Sequence, residues 1–185
     1  MSFDAIILAG ASSARLDGRD KALVCVGGKT LLERVVAAAF KARQILVVGP
    51  RRDLHLSVRW VDEQRRGAGP MTALATGLRL VESEIVVVLA VDHPLLTEDD
   101  VARLVTSVER DGAVGLDGDG RPQPLLAAYR TSALIEAVHG LSAVENAAMR
   151  DLEGVLDVTA VELGEAATDC DTWSDIESVR LHRGR

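Results

Sequence analysis

The sequence has few aromatic residues and no excess of positive charge. Two Trp, two Phe and one Tyr among 185 residues leave the core to aliphatic side chains, which is typical of a β/α protein and unlike an aromatic-rich binding module. The formal net charge of −7 argues against a nucleic-acid or anionic-membrane surface. We therefore expect neither nucleic acid nor a membrane as a partner, and any phosphate site has to be a local basic pocket.

Cysteines and long apolar runs are also scarce. Cys25 and Cys170 lie far apart, which excludes a C-x-x-C redox pair and a metal knuckle, and Cys25 between two valines is expected to pack as a small hydrophobic side chain. No run of about 18 apolar residues is present, and no basic segment precedes the first apolar run. These features predict a cytoplasmic protein, and the length predicts a single domain over residues 1–185.

Apolar runs typical of buried strands alternate with stretches that have helical periodicity. This alternation predicts βαβ units, and hence an α/β fold of three layers, α/β/α, with a mostly parallel central sheet. Thr30 and Thr97 are expected to cap helices, the first with an apolar face that includes Phe40, and Gly69-Pro70 is expected to open another. The strands are predicted at 5–9, 44–48, 58–61, 85–90 and 124–129, and a further helix at 142–152.

The loop after the first strand is the strongest functional signal. Gly10 and the small residues after it let backbone N–H groups approach a ligand closely, while Arg15, Arg19 and Lys21 add positive charge. The loop has neither the G-x-x-x-x-G-K-[ST] nor the G-x-G-x-x-G spacing, which disfavours a kinase, a GTPase or an NAD enzyme. The pattern predicts a phosphate-binding loop of another kind.

Two aspartates follow other predicted strands directly. Ligands of parallel α/β sheets bind beyond the carboxyl ends of the strands, so Asp62, Asp92 and the loop that ends at Lys21 are expected to face one crevice. A carboxylate placed directly after an apolar strand needs a cation or a hydrogen-bond donor. The alternative for Asp92 is a cap or turn residue before His93-Pro94.

The same segments resemble the MobA-like nucleotidyltransferases, the family of molybdenum cofactor guanylyltransferase. The family signature L-A-G-G-x-x-x-R-M-G-x-x-D-K is matched in register by six residues, Leu8, Ala9, Gly10, Arg15, Asp20 and Lys21, and Gly18 lies one position after the last glycine of the signature. Asp62 falls on a D-x-x-x-x-x-x-G-P segment, Asp92 on a C-D-x-P element and Asp171 on a closing [ND]-T-P-E element. The chain departs from the family at five positions: Ala11, Asp17, Gly49 in place of a base-contacting asparagine, Gln123, and Trp173 in place of proline.

The resemblance implies a Rossmann-like nucleotidyltransferase fold and a Mg²⁺-dependent transfer of GMP from GTP to molybdopterin-bound molybdenum cofactor, with release of pyrophosphate. It implies transient contact with proteins that deliver the cofactor or receive the product. The catalytic residues would be Lys21, Arg15 and Asp92. Nucleotide would be bound by Leu8, Ala9, Gly10, Lys21, Asp62 and Asp92, and the metal by Asp92 with Asp171 as a second contact.

Three alternatives stay open at this point. Asp171 would also serve as the N-cap of a helix that begins at Trp173. The departures at Ala11, Gly49 and Gln123 leave room for another nucleotide, CTP, ATP or UTP, or for another phosphorylated acceptor. A third hypothesis is a catalytically inactive homologue that has kept the nucleotide-binding fold.

Overall fold

Strands and helices alternate along the chain in the computed structural model, which describes residues 1–10, 16–63, 69–141, 144, 147–152 and 154–182. The strands are β1 (Phe3–Leu8), β2 (Cys25–Val26), β3 (Lys29–Thr30), β4 (Ile45–Val48), β5 (Arg59–Val61), β6 (Ile85–Ala90), β7 (Gly112–Leu116), β8 (Pro122–Arg130) and β9 (Val158–Glu162). The α-helices are α1 (Leu31–Ala38), α2 (Pro70–Leu78), α3 (Glu98–Thr106), α4 (Thr131–Gly140) and α5 (Trp173–His182). None of the helices within these ranges is long and apolar enough to cross a membrane.

A seven-stranded sheet in the order β5-β4-β1-β6-β8-β7-β9 lies at the centre. Strands β5, β4, β1 and β6 pair in parallel, whereas β8 runs antiparallel between β6 and β7. The short β7–β8 connection explains the antiparallel pair, because parallel neighbours need a longer crossover. The prediction of a mostly parallel sheet is confirmed, and the carboxyl ends of four neighbouring strands meet at one edge.

Alternate residues of the central strands pack on opposite faces of the sheet. Ala5 and Ile7 of β1 belong to the core formed with α1 and α3, while Ile6 and Leu8 belong to the core formed with α2 and α4. Strand β6 is fully buried along its length, as expected for a strand covered by helices on both sides. The predicted three-layer α/β/α arrangement is confirmed.

The predicted helix starts are also confirmed. Thr30 accepts a hydrogen bond from the Glu33 N–H and Glu33 returns one to the Thr30 N–H, and Thr97 forms the same capping box with Asp100. Pro70 occupies the first turn of α2.

Three local predictions were wrong or only partly tested. Helix α1 ends at Ala38, so Phe40 lies beyond its apolar face and is 60% exposed. Strand β2 is two residues long and buries Val26, which leaves Cys25 exposed. Of the helix expected over 142–152, the structure has a 3₁₀ turn at Met149–Leu152, and residues 142, 143, 145 and 146 lie outside the described residues.

A buried carboxylate joins the amino end of β1 to two neighbouring connections. Asp4 is fully buried and accepts hydrogen bonds from the side chains of Arg43 and Gln44, from the backbone of Glu82 and from the backbone and hydroxyl of Ser83. Burial alone would raise the pKa of Asp4, but the hydrogen bonds, led by that from Arg43, hold it well below its usual range. This network anchors the edge of the sheet opposite the predicted site.

Candidate active site

Lys21 is a buried cation at the end of the loop that follows β1. It begins a 3₁₀ turn that Asp20 caps by accepting a hydrogen bond from the Ala22 N–H. Its side chain is 5% exposed, and Nζ donates to Asp171 Oδ1 at 2.5 Å and to Asp92 Oδ2 at 3.4 Å. Burial alone would lower the pKa of Lys21, but attraction to Asp92 and hydrogen bonding to Asp171 raise it above its usual value. Lys21 is therefore charged at neutral pH.

Asp92 occupies the second position after β6, in the middle of the sheet. Its Oδ2 accepts the hydrogen bond from Lys21, while its Oδ1 is buried and has no hydrogen-bond partner within the described part of the chain. Asp92 does lie in a turn, as the alternative interpretation predicted, but its side chain accepts no backbone N–H among the described residues, so the cap part of that interpretation is wrong. A buried carboxylate oxygen without a donor is costly unless a cation or ligand satisfies it.

The segment before α5 is held against Asp92 by its backbone. The Cys170 N–H donates to the Asp92 carbonyl oxygen at 2.9 Å, which places Asp169 and Asp171 on either side of this contact. Asp169 Oδ1 lies 3.3 Å from His93 Nδ1, and His93 Nε2 lies 3.6 Å from Asp92 Oδ1. Burial, together with the charges of Asp92 and Asp171, raises the pKa of Asp169, although His93 opposes this shift. We call Lys21, Asp92, Asp169 and Asp171 the Lys21 cluster.

The alternative role of Asp171 as a helix cap is also wrong. Thr172 caps α5, because its Oγ1 accepts from the Asp175 N–H at 3.3 Å and Asp175 Oδ2 accepts from the Thr172 N–H at 2.7 Å. The Asp171 side chain instead accepts from Lys21, although 150 residues separate the two.

Arg52 fixes the loop end and is a residue that sequence reasoning missed. The Arg52 guanidinium donates to both carboxylate oxygens of Asp20, at 2.7 and 2.8 Å, and to the carbonyl oxygens of Ala9 (2.6 Å) and Pro50 (2.9 Å). It is 8% exposed. A planar guanidinium can make these contacts together, so Arg52 ties β1, β4 and the Lys21 turn into one rigid unit. The signal that could have identified Arg52 is its position just after β4, at the carboxyl edge of the sheet.

Two departures from the family pattern contact each other. Asp17 adopts φ 54°, a left-handed conformation that glycine adopts freely and that aspartate tolerates better than most residues. Asp17 Oδ2 accepts a hydrogen bond from Trp173 Nε1 at 3.0 Å, and the Arg19 guanidinium lies 5.5 Å from the Trp173 ring centroid. Trp173 thus packs α5 on the loop.

The remaining predicted site residues lie at the same edge of the sheet but apart from the Lys21 cluster. Leu8 and Ala9 bury their side chains in the two cores, and Gly10 is exposed. Asp62 is exposed just beyond β5, which is three strand positions from β6, or about 14 Å at ordinary strand spacing. Within the described ranges no hydrogen bond or ion pair links Asp62 to the Lys21 cluster. Arg15 lies outside the described residues.

Comparisons with known proteins agree with this arrangement. Residues 5–155 match the MobA-like NTP transferase domain. A protein of Mycobacterium avium called probable molybdenum cofactor guanylyltransferase is 36% identical, over 99% of this chain and 98% of its own. The molybdenum cofactor guanylyltransferase of Pseudomonas entomophila is 30% identical, over 86% of this chain and 87% of its own.

A solved structure shows the same fold. The molybdopterin-guanine dinucleotide biosynthesis protein A of Archaeoglobus fulgidus superposes with a TM-score of 0.72 over 98% of both chains, at 19% identity. At this identity the likeness concerns the fold alone. The domain match and the two relatives show that the chain is a nucleotidyltransferase of the MobA-like NTP transferase family.

Proposed function

We propose that the chain transfers GMP from GTP to molybdopterin-bound molybdenum cofactor, with release of pyrophosphate. The observation that carries the proposal is the buried Lys21 held by Asp92 and Asp171 where β1 and β6 end. This is the edge at which a parallel sheet binds its ligand. The names of the two relatives support guanine and the molybdenum cofactor as the substrates.

In this reaction a phosphate oxygen of the acceptor attacks the α-phosphorus of GTP. The bond from the α-phosphorus to the oxygen that bridges it to the β-phosphate breaks, and pyrophosphate leaves with that electron pair. No covalent intermediate with the protein is required, so catalysis consists of positioning and charge neutralisation. Lys21 supplies a fixed positive charge, and Arg15 would supply a second from the same loop. Asp62 and the backbone at Gly10 would position the nucleoside.

The residues of the Lys21 cluster fit a magnesium ion. One lysine and three aspartates give the cluster a formal charge of −2, and the buried Asp92 Oδ1 has no hydrogen-bond donor in the ranges that the structure describes. Mg²⁺ prefers carboxylate oxygens to imidazole nitrogen and binds through one or two carboxylates plus substrate phosphates and water. Asp92 would hold the ion, with Asp169 or Asp171 as the second carboxylate. When bound, Mg²⁺ would neutralise the triphosphate.

The test of this proposal is the Lys21→Ala variant, assayed for pyrophosphate release with GTP, Mg²⁺ and molybdenum cofactor. Loss of one such charge typically costs about 100- to 1000-fold in rate. The matched control is Lys41→Ala, which removes a lysine that is 58% exposed and paired with Glu98. Turnover of Lys21→Ala near the wild-type rate, in a folded protein, would refute the assignment.

A nucleotide panel tests the choice of guanine separately. Thermal unfolding with GTP, CTP, ATP or UTP, each with and without Mg²⁺, reports binding because a ligand of the native state raises its stability. We expect the largest Mg²⁺-dependent shift with GTP. A shift led by another nucleotide would refute guanylyl transfer, and binding without pyrophosphate release would indicate the inactive homologue. Cytoplasmic location and transient contact with cofactor-handling proteins belong to the same proposal.

A further inference from the structure

The carboxylate of Glu63 lies against the backbone of Gly10. A Cβ atom added to Gly10 would lie 1.9 Å from Glu63 Oε1 and 3.0 Å from Glu63 Cδ. Across the described ranges the half-buried Glu63 side chain forms no hydrogen bond or ion pair. The carboxylate therefore sits, with its acceptor positions free, on the segment that is proposed to contact the nucleoside. A nucleotide base that packs against Gly10 would therefore contact the Glu63 carboxylate.

The neighbouring strand cannot supply a polar side chain at this place. Gly49, the residue after β4, adopts φ +143°, and a Cβ there would lie only 2.8 to 2.9 Å from the backbone of Ala9 and Gly10. The Gly49 N–H donates to the Val61 carbonyl oxygen at 3.0 Å, so β4 and β5 end side by side, with β4 between β5 and β1. We call Gly10, Gly49 and Glu63 the base corner, and Glu63 is its only acidic side chain.

We propose that the Glu63 carboxylate recognises the base of the nucleotide, and that it selects guanine. This inference deepens the proposed function and rests on it. A carboxylate is purely an acceptor with two oxygens, and guanine offers two adjacent donors, the N1–H and the 2-amino group. The two hydrogen bonds would be parallel and charge-assisted, which makes them stronger than bonds between neutral groups.

The other bases do not match a carboxylate in this way. Cytosine and adenine each present one amino group beside a ring nitrogen acceptor, and uracil presents one N–H between two carbonyl oxygens. A carboxylate would face a lone pair in each case, and leaving a polar group opposed by a like partner rejects the wrong ligand. Glu63, two residues after the end of β5, therefore replaces the base-contacting side chain that Gly49 lacks.

The experiment measures dissociation constants of Mg²⁺ complexes of GTP, ITP and XTP for the wild type and Glu63→Gln by titration calorimetry. ITP lacks the 2-amino group, and XTP carries a carbonyl oxygen in its place. The wild type should bind GTP about 10-fold or more tightly than ITP. In Glu63→Gln, GTP binding should weaken about 10- to 100-fold, while XTP binding should strengthen, because the glutamine amide donates to the new oxygen. Glu84→Gln, at the opposite end of β6, is the matched control.

Five results would overturn the inference. Unchanged GTP binding by Glu63→Gln would show that the carboxylate does not contact the base, and tighter GTP binding would show that it only obstructs the site. Equal weakening of GTP, ITP and XTP would indicate general support of the loop. A wild type that is selective for GTP while the variant keeps that selectivity refutes only the role of Glu63. In the thermal unfolding panel with GTP, CTP, ATP and UTP, a wild type that prefers CTP, ATP or UTP refutes the proposed guanylyl transfer as well.

Discussion

Replacing Asp92 by asparagine separates the proposed catalytic role of its charge from any role in folding. The substitution keeps the shape of the side chain but removes the charge from Oδ1, the oxygen that has no hydrogen-bond donor among the described residues. Loss of a preorganised electrostatic contact of this kind costs about 100- to 1000-fold in kcat, or about 2.7 to 4 kcal/mol. We therefore expect Asp92→Asn to lose at least about 100-fold in rate.

The same substitution should change the stability little. Lys21 keeps its closer partner, Asp171 at 2.5 Å, and loses the one at 3.4 Å, while the formal charge of the Lys21 cluster changes from −2 to −1. Both aspartates retain contact with solvent, so the lost pair contributes about 1 kcal/mol or less. For a chain of this length that corresponds to a fall in Tm of at most about 4 °C.

The assay combines pyrophosphate release over a range of Mg²⁺ concentrations with a thermal melt of each variant. Recovery of the rate at high Mg²⁺ is expected if Asp92 holds the metal, since a weakened site is refilled by mass action. Asp99→Asn, an exposed aspartate of α3, is the control. A rate of Asp92→Asn within about threefold of wild type would contradict this argument, because the argument assigns to the Asp92 charge a rate effect of about 100- to 1000-fold.

Three further predictions concern the frame around the site. Asp4→Asn should lower the free energy of unfolding by about 3 kcal/mol, since it breaks a buried charge network. Hydrogen bonds hold the pKa of Asp4 low in the folded state. Asp4 therefore stabilises the fold at pH values above its unfolded pKa near 4, and this stabilisation is lost as the pH falls below that value. Urea unfolding from pH 7 to pH 3 should show the loss in the wild type and not in the variant. Gly49→Ala should lower the free energy of unfolding by about 3 kcal/mol, because the added Cβ atom would collide with backbone atoms. Gly18→Ala, at φ 71° and with no described atom within 4 Å of the added Cβ, should lower it by about 1 kcal/mol. Thermal melts that rank the two variants the other way would contradict this packing argument. Arg52→Lys should raise the KM for GTP about 10-fold, since a lysine cannot make the contacts of the guanidinium together, and an unchanged KM would show that the loop end needs no such tie.

Local signals in the sequence predicted the layers of the fold well. An acidic residue follows Thr30 and Thr97 three positions later, so each capping box can be predicted from a segment of four residues. The apolar run of β6 has no polar alternation, which is the pattern of a strand covered on both faces. Cys25 was mistaken for a core residue because the length of β2, and so the face that it buries, depends on its pairing with β3.

The contacts of the site were harder to predict because they join distant parts of the chain. Asp92 lies two residues after the end of β6, and its place at the carboxyl edge of the sheet follows from the strand order. The contact of Lys21 with Asp171 spans 150 residues, and that of Arg52 with Asp20 spans 32. Periodicity carries no information about such pairs. The resemblance indicated Asp171 as a metal contact, but only the structure shows that Thr172, through its hydrogen bonds with Asp175, caps α5 in place of Asp171.

The geometry also explains how the chain can depart from its family at the base while keeping the phosphate residues. The Lys21 cluster lies where β1 and β6 end, and the base corner lies where β4 and β5 end, on the other side of β1. No hydrogen bond or ion pair among the described residues joins Gly49 or Glu63 to Lys21 or Asp92, and residues that share no partner couple weakly. Under the proposed function, a change from asparagine to Gly49 would alter the recognition of the base and leave Lys21 and Asp92 in place. Since Lys21 and Asp92 are present and Glu63 is proposed to supply the acceptor, we interpret the departures as a rebuilt base pocket and not as a loss of catalysis.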